Sequence, residues 1–351
     1  MAFSLTRNPD LLEKFRRDCE SMGITTFKDG KSSERLDAGE SAYLAKQLEY
    51  VMAETFNVEY PDLKALSLLP INTSIPPGAE TYSYLQWDYV GSAKFVTDYA
   101  KDFPSSDAFV KRFNAPIASI GNSFGYTVQE LRAAQAAQFG QGASLDAIRG
   151  QVARDVHARF QDVVAAFGDS ARGIKGFVNH ASMPDVSPVS GGWTTTLATV
   201  SDTNNGLIVA DLNKLVFQPE QATKGLYKAD TLVLPLSVKP RVMAPTSTYV
   251  RQPLLMNWLQ NQEDIKDVFF WNLLDAADAN EAAGATVLTS GVARAIAYKR
   301  DRRLLEYMVP QPFEMFPPQQ ENLKFNVPCH SRTGGVSFRY PLSSARMNVG
   351  A

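Results

Sequence analysis

The 351-residue chain sets 35 Lys and Arg against 37 Asp and Glu, a formal net charge of -2. That balance excludes the basic excess on which tight non-specific DNA binding depends, since neutralised phosphates drive such binding. With 44% hydrophobic and 21% charged residues the composition is ordinary and globular, which excludes global disorder and leaves room for two or three compact units.

The opening MAFSLTRNPDLLEKF is interrupted by Asp10 and Glu13 and lacks a signal-peptide apolar run. Nowhere does the chain approach the roughly 20 apolar residues of a membrane span. Two cysteines, Cys19 and Cys329, cannot build a disulfide framework, so a reducing, soluble compartment is expected. NPDLLEKFRRDCESMG predicts a short helix: Asn8 caps, Pro9 and Asp10 suit the first turn, Leu12, Phe15, Cys19 and Met22 share a face, and Gly23 ends it. After a polar connection, a second helix is expected from about Glu40 to Phe56 with Leu44, Leu48, Val51, Met52 and Thr55 inward. Neither has apolar surface enough to stand alone.

Pro76, Pro77 and Gly78 forbid a helix, and two β-type runs follow near 80–100 and 108–120, with DFPSSD between them. Tyr82 and Tyr84 alternate with Leu85 and Trp87, and Phe109, Phe113, Ala115 and Ile117 are set against Lys111 and Arg112. A lone hairpin is marginal in water, so Tyr82, Tyr84, Trp87, Phe95 and Phe109 are candidate contacts to another subunit.

Next comes TVQELRAAQAAQF, with Thr127 and Glu130 placed as a capping box. The strongest helix follows, capped by Ser144 and stopped by Gly168. Its Leu145, Ile148, Val152, Val156, Phe160, Val163, Val164 and Phe167 recur every three or four residues. Residues 173–203 are loop-rich. From 204 to 300 helix and strand alternate: GLIVADLNKLVFQ a helix, ADTLVLPL a buried strand, PLLMNWLQNQ a helix, IKDVFFWNLL and ARAIAYKRD strands. The basic YKRDRR at 298–303 reads as a solvated turn between strands. In the proline-broken β tail, LKFNVPCH and VSFRYPL are expected to form a hairpin about SRTGG, with Gly334 and Gly335 supplying positive φ.

Candidate chemistry is thin. Cys329 and His330 are neighbours on a strand and point to opposite faces, which is wrong for a nucleophile and its base; a phosphatase-type loop would need Arg at 335, where Gly stands. His157 sits in HARFQ rather than a zincin HExxH, and His180 has no second histidine nearby, so no metal site is expected. The pairs Asp264/Asp267 and Asp275/Asp278 read as solvated turns. GNSFG at 121–125 has the spacing of a nucleophile elbow around Ser123, and a serine hydrolase remains an alternative, needing an Asp and then a His downstream.

The order of parts resembles the major capsid proteins of tailed bacteriophages, whose fold is shared with encapsulin shells. LLPINTSIPPGAETYSYLQWDYVGSAKFVTDYAKDFPSSD is similar to the start of that family's extended loop, IASIGNSFGYTVQELRAA to the passage into its spine region, and VPQPFEMFPPQQENLKFNVPCHSRTGGVSFRYPLS to its closing strands. These stretches cover about 60–140 and 304–351; over 185–300 only the alternation agrees. The resemblance implies an α+β capsid fold. Residues 1–60 would be an N-terminal arm, 61–78 a linker and 79–120 an extended β-hairpin loop. Residues 121–185 with 305–351 would form a peripheral domain around a spine helix at 144–167, and 186–304 an axial α/β domain. It also implies a structural, non-enzymatic subunit without cofactor or metal. Such a subunit self-assembles into pentamers and hexamers of an icosahedral head in the host cytoplasm. The partners implied are a separate scaffolding protein, a portal, cement or decoration proteins, and packaged double-stranded DNA held by weak contacts. An encapsulin-like compartment shell is the other reading within this fold.

Overall fold

The computed structural model describes residues 61–96, 103–136, 145–189, 191–195, 197–247, 251–289 and 291–350, with Arg17. The chain divides into two units, Met1–Pro61 and Asp62–Ala351. The two helices expected before residue 60, Cys19 and the Ser144 cap lie outside the described residues.

Helix α1 (Ala65–Leu68) and strand β1 (Ile71–Asn72) lead into three long strands, β2 (Thr81–Gly91), β3 (Ser106–Pro116) and β4 (Ala118–Thr127). Then come α2 (Val128–Ala136), α3 (Leu145–Phe167) and the short strands β5 (Gly168–Asp169), β6 (Ile174–Lys175) and β7 (Asp185–Val186). The alternating stretch is α4 (Asp202–Ala222), β8 (Thr231–Pro235), α5 (Lys239–Val242), α6 (Leu254–Leu259), β9 (Asp267–Trp271), α7 (Ala276–Ala283) and β10 (Arg294–Tyr298). The tail holds β11 (Leu305–Met308), β12 (Gln311–Met315), β13 (Gln319–Glu321), β14 (Lys324–Thr333), β15 (Gly335–Phe338) and β16 (Ser344–Asn348).

TLVLP in β8 has no polar alternation and is buried at every position, as expected of a strand covered on both faces. It lies in a five-stranded sheet of order β7-β16-β10-β8-β9, parallel to β9 and antiparallel to β10. The twofold alternation of strands sorts its side chains into two cores. Leu232, Leu234, Ala295, Ala297, Ala345 and Met347 meet Ile208, Leu212 and Leu215 of α4. On the other face Val233, Ile296 and Tyr298 join Phe167, Phe177, Trp271, Tyr307 and Phe338. Tyr298 donates its hydroxyl to the Leu68 carbonyl at 2.7 Å, which satisfies it inside the core. Strand β16 is therefore part of the sheet built by 186–304, although it lies within the tail assigned to the peripheral part. Helix α4 starts earlier than Gly206 because Ser201 caps it, accepting the Asn204 N–H at 3.2 Å.

The tail departs from the expected hairpin. Ser331, Arg332 and Thr333 continue β14, pairing with Ile120, Ser119 and Ala118 of β4. Strand β15 leaves for another sheet, where it pairs with β11. The glycines serve that switch: Gly335 has φ 70°, a left-handed conformation that costs a side chain energy, and a Cβ at Gly334 would stand 2.9 Å from the Tyr82 ring. Strand β14 is thus the middle of a sheet with β12 and β13 on one side and β4 on the other.

The expected capping box is formed. Glu130 accepts the Thr127 N–H at 3.0 Å, and Thr127 Oγ1 accepts the Glu130 N–H at 3.1 Å. Helix α3 has 23 residues, about 35 Å at 1.5 Å per residue, and stops at Gly168, whose φ is 71°. Its carboxyl-terminal end is buried at Val164, Ala165, Ala166 and Phe167.

Candidate assembly surface

Strands β2 and β3 pair antiparallel from Thr81↔Pro116 to Gly91↔Ser106. The second run expected to 120 is therefore divided, since β4 belongs to the sheet of β14. The register sets Tyr82, Tyr84, Gln86 and Asp88 on one face with Ala115, Phe113, Lys111 and Phe109. Lys111 thus shares the face of Phe109 and Phe113 rather than opposing them, as a period of two requires.

The base of this hairpin is held by its own chain. Tyr82 and Tyr84 donate to the Gly334 and Phe338 carbonyls at 3.5 and 3.4 Å. The Tyr84 ring stacks on Phe113, centroids 5.2 Å apart. Burial pushes the Tyr82 hydroxyl up to about 12. Of the five expected contact residues, Tyr82 and Tyr84 therefore pack within the subunit, while Trp87, Phe95 and Phe109 are exposed by 58%, 106% and 51%. On the face of Trp87 stand Leu85, Tyr89 and Val110, also exposed. The alternation of Leu85 and Trp87 with Tyr82 and Tyr84 is visible in the sequence, and Tyr89 and Val110 extend that face.

Helix α3 carries a second open stripe. Ile148, Val152, Val156 and Phe160, four residues apart, are 51%, 55%, 46% and 48% exposed. The residues turned toward β4 and β14 are smaller or polar: Gly150, Ala153 and His157. His157 Nδ1 lies 3.2 Å from Ser331 Oγ, to which Gln161 Nε2 donates at 3.1 Å. The Ser331 hydroxyl, which has one proton and two acceptor lone pairs, thus ties two residues of α3 to β14. His157 Nε2 and the Oδ1 of Asn122 have no partner among the described residues. Both residues line a cavity of about 330 Å³ between α3 and β4. Burial, aided by nearby His330, lowers the affinity of His157 for a proton. A serine beside a histidine has the parts of a nucleophile and base. Here Ser331 is fully buried and, among the described residues, no carboxylate orients the imidazole; the pair fastens helix to sheet.

The other candidates are placed as follows. Cys329 is buried and its thiol is pushed up by burial; His330, one step along β14, faces the opposite side. Ser123 stands in the middle of β4, opposite Pro328, so GNSFG forms no strand-to-helix elbow and the geometry assumed for a hydrolase is missing. In the basic turn, Arg300 bonds the Ser67 carbonyl, Arg302 meets Glu306 at 3.0 Å and Arg303 meets Asp301 at 3.2 Å. Asp264 pairs with Lys228 at 3.1 Å, and Asp275 accepts the Ser237 N–H at 3.1 Å. Among the described residues no group of three His, Cys, Asp or Glu is placed to hold a metal, and no helix is long and apolar enough to cross a membrane.

Solved structures from phages and a related particle share this fold. The capsid of Myoviridae phage XM1 is similar at TM-score 0.71 and 16% identity, over 87% of this chain and 97% of that one. Mycobacterium phage Bobi gives 0.57 and 13% over 90% and 98%. The capsid of an empty GTA particle gives 0.56 and 11% over 92% and 100%. None of the curated proteins matches the chain. The family model described as major capsid protein matches residues 91–348. The chain belongs to the major capsid protein family and is a structural subunit of a capsid shell.

Proposed function

We propose that copies of this chain, arranged as pentamers and hexamers, build the icosahedral head of a tailed phage around its double-stranded DNA, and that the β2–β3 hairpin joins neighbouring subunits. In this reading α3 is the spine of a peripheral domain, and the five-stranded sheet with its helices is the axial domain around which copies gather. The observation that carries it is the hairpin, anchored at its base and open along its length. Burying one large apolar side chain stabilises by roughly 1.5–3 kcal/mol, so Leu85, Trp87 and Tyr89 together can hold a neighbour. A net charge of -2 also suits a wall that must let DNA slide during packing and release, since strong phosphate contacts would hold it. A scaffolding protein, a portal and decoration proteins complete the assembly, which forms in the host cytoplasm.

The test replaces residues 84–112 by a short Gly-Ser turn in protein co-expressed with its scaffold. The intact chain should sediment as closed megadalton shells. The shortened chain should keep its helical circular dichroism and give none. An intact chain that stays monomeric under every condition, or normal shells from the shortened one, overturns the proposal.

A further inference from the structure

A buried carboxylate stands where the hairpin meets the body of the subunit. Strands β1, β11 and β15 form a three-stranded sheet. The twofold alternation puts Tyr307 on its core face and Glu306 on the other, opposite Ser337. Glu306 is buried, yet it holds three polar partners. Its Oε1 accepts from Arg302 Nε at 3.0 Å, and its Oε2 accepts from Arg339 Nη2 at 2.9 Å and from Asn72 Nδ2 at 2.8 Å. Arg339 also donates Nη1 to the Arg302 carbonyl at 3.3 Å. One carboxylate thereby joins the end of β1, the turn before β11 and the residue that follows β15.

The same arginine reaches the hairpin. Its guanidinium carbon lies 5.9 Å from the centre of the Tyr84 ring, within cation–π range, and that ring is stacked on Phe113 of the facing strand. The Tyr82 and Tyr84 hydroxyls meet the Gly334 and Phe338 carbonyls only at 3.5 and 3.4 Å, the long limit of hydrogen bonding. They locate the base of the ribbon without fixing its direction. A planar guanidinium gripped by a carboxylate and set against an aromatic ring has far fewer orientations open to it. Asn72 acts from the other side: its Oδ1 accepts the Ser74 N–H at 2.8 Å, at the start of the connection that enters β2 at Thr81. Taking ions out of water is costly, and apolar residues of the same volume often serve stability as well. What this network adds is orientation.

We propose that Glu306 is a positioning residue for assembly: through Arg339 it sets the inclination of the β2–β3 hairpin to the body of the subunit, and through Asn72 it ties that inclination to the chain entering the hairpin. From Tyr84 to Gly91 the ribbon runs about 23 Å, so a tilt of about 10° at its base moves its far end by about 4 Å. Packed side chains lose a quarter to a half of their attraction across a gap of about 0.5–1 Å, so a joint made by the hairpin depends on its inclination. Arg302 is the peripheral member of the network: its side chain is largely exposed, and its loss leaves Arg339 and Asn72 on the carboxylate. The consequence for shells rests on the proposal that the hairpin joins subunits; the inclination itself does not.

The inclination is read in free subunits by double electron–electron resonance. Spin labels are attached through p-acetylphenylalanine in place of Asp88 on the hairpin and Gln221 on α4, both exposed, so the cysteines stay untouched. Two variants loosen the network: Glu306→Gln, and Arg339→Lys, which keeps the charge and loses the planar fork. In each, wherever circular dichroism shows a folded subunit, the distance distribution should be at least about twofold broader than in the wild type, since the guanidinium is no longer gripped. Arg302→Ala, which also takes a charged donor from the carboxylate, should keep the wild-type width. Arg339→Lys decides the matter if Glu306→Gln does not fold. Unchanged width in the folded variants, or equal broadening in Arg302→Ala, overturns the inference. In assembly, Glu306→Gln or Arg339→Lys should raise the critical concentration for shells at least about tenfold. A broadened distribution with an unchanged critical concentration overturns the role in assembly. Normal shells from the chain with the shortened hairpin overturn the reading of the hairpin as the joint, and the distance measurement then decides the inclination by itself.

Discussion

Strand β8 and strand β2 both carry large apolar side chains and end in opposite circumstances. Every side chain of β8 is enclosed between two cores, whereas β2 keeps Leu85, Trp87 and Tyr89 exposed by 60%, 58% and 80%. The difference is what stands on either side. β8 has β10 and β9 as neighbours and a core on each face. Among the described residues β2 pairs with β3 alone and is tied at its base by two tyrosine hydroxyls. One region is finished by its own chain; the other keeps its outer face open. If the hairpin joins subunits as proposed, the energy of apolar burial is divided between folding and assembly, and mutations in the two regions should separate accordingly.

The largest effect is expected at Trp271. Its ring is fully buried in the core shared by Tyr298 and Phe177. Trp271→Ala removes that volume and should destabilise the subunit by about 3–5 kcal/mol, as read from urea unfolding of the free subunit. A loss under 1 kcal/mol would mean that this core is loosely packed and that the division drawn between the two strands is false.

Asp162 gives the next largest effect, with a definite pH signature. It is 3% exposed and accepts the Ala65 N–H at 2.7 Å. Burial pushes its carboxyl up to about 6, partly opposed by that bond. The folded state therefore holds the proton more tightly than the unfolded chain. Its contribution to stability is complete below about pH 4, where both states are protonated, and is lost as pH rises through about 6. Asp162→Asn keeps an acceptor for Ala65 and removes the charge. At pH 8 it should be more stable than the wild type by up to about 3 kcal/mol, and the difference should vanish below about pH 4. Denaturant titrations across that range would show it; a variant weaker at pH 8 would mean that the ionised carboxylate is well solvated or paired.

Gly168 comes third. Its φ of 71° lies in the left-handed region, and an added Cβ would collide with the Ile174 carbonyl and the Gly176 nitrogen. Gly168→Ala should cost at least about 2 kcal/mol, strain and collision together. The helix stop there was plain from the sequence, as were the Thr127–Glu130 capping box and the run of β8. Each of these is a local signal, with partners a few residues apart or a pattern that needs none. What the sequence hid depends on partners distant along the chain. Gly334 and Gly335 look like a hairpin turn until Tyr82 and β11 are in place. The apolar period of α3 is visible, but nothing local tells that Ile148, Val152, Val156 and Phe160 turn outward while His157 turns inward to Ser331, 174 residues away. Likewise the aromatic hairpin was legible as an arm, yet its division into a tyrosine base and an exposed outer stripe required the position of Phe338.

The smallest effect on the subunit is expected at Trp87, where the division between folding and assembly is sharpest. Its side chain is 58% exposed and stands on the hairpin face away from the Tyr84–Phe113 stack. Trp87→Ser removes little that the isolated subunit buries, so its unfolding free energy should change by no more than about 0.5 kcal/mol, the usual range for surface substitutions. Assembly should respond quite differently. A tryptophan enclosed at the centre of a contact is a typical source of binding energy, often about 2 kcal/mol or more on truncation, and in a closed shell the loss recurs at every copy. The critical concentration for shell formation, read by light scattering and sedimentation, should rise more than about tenfold, which corresponds to 1.4 kcal/mol per contact. An equal loss in subunit stability would place Trp87 in the fold of its own chain. An unchanged critical concentration would leave the outer stripe without a partner, and the division between β8 and β2 would then describe exposure alone.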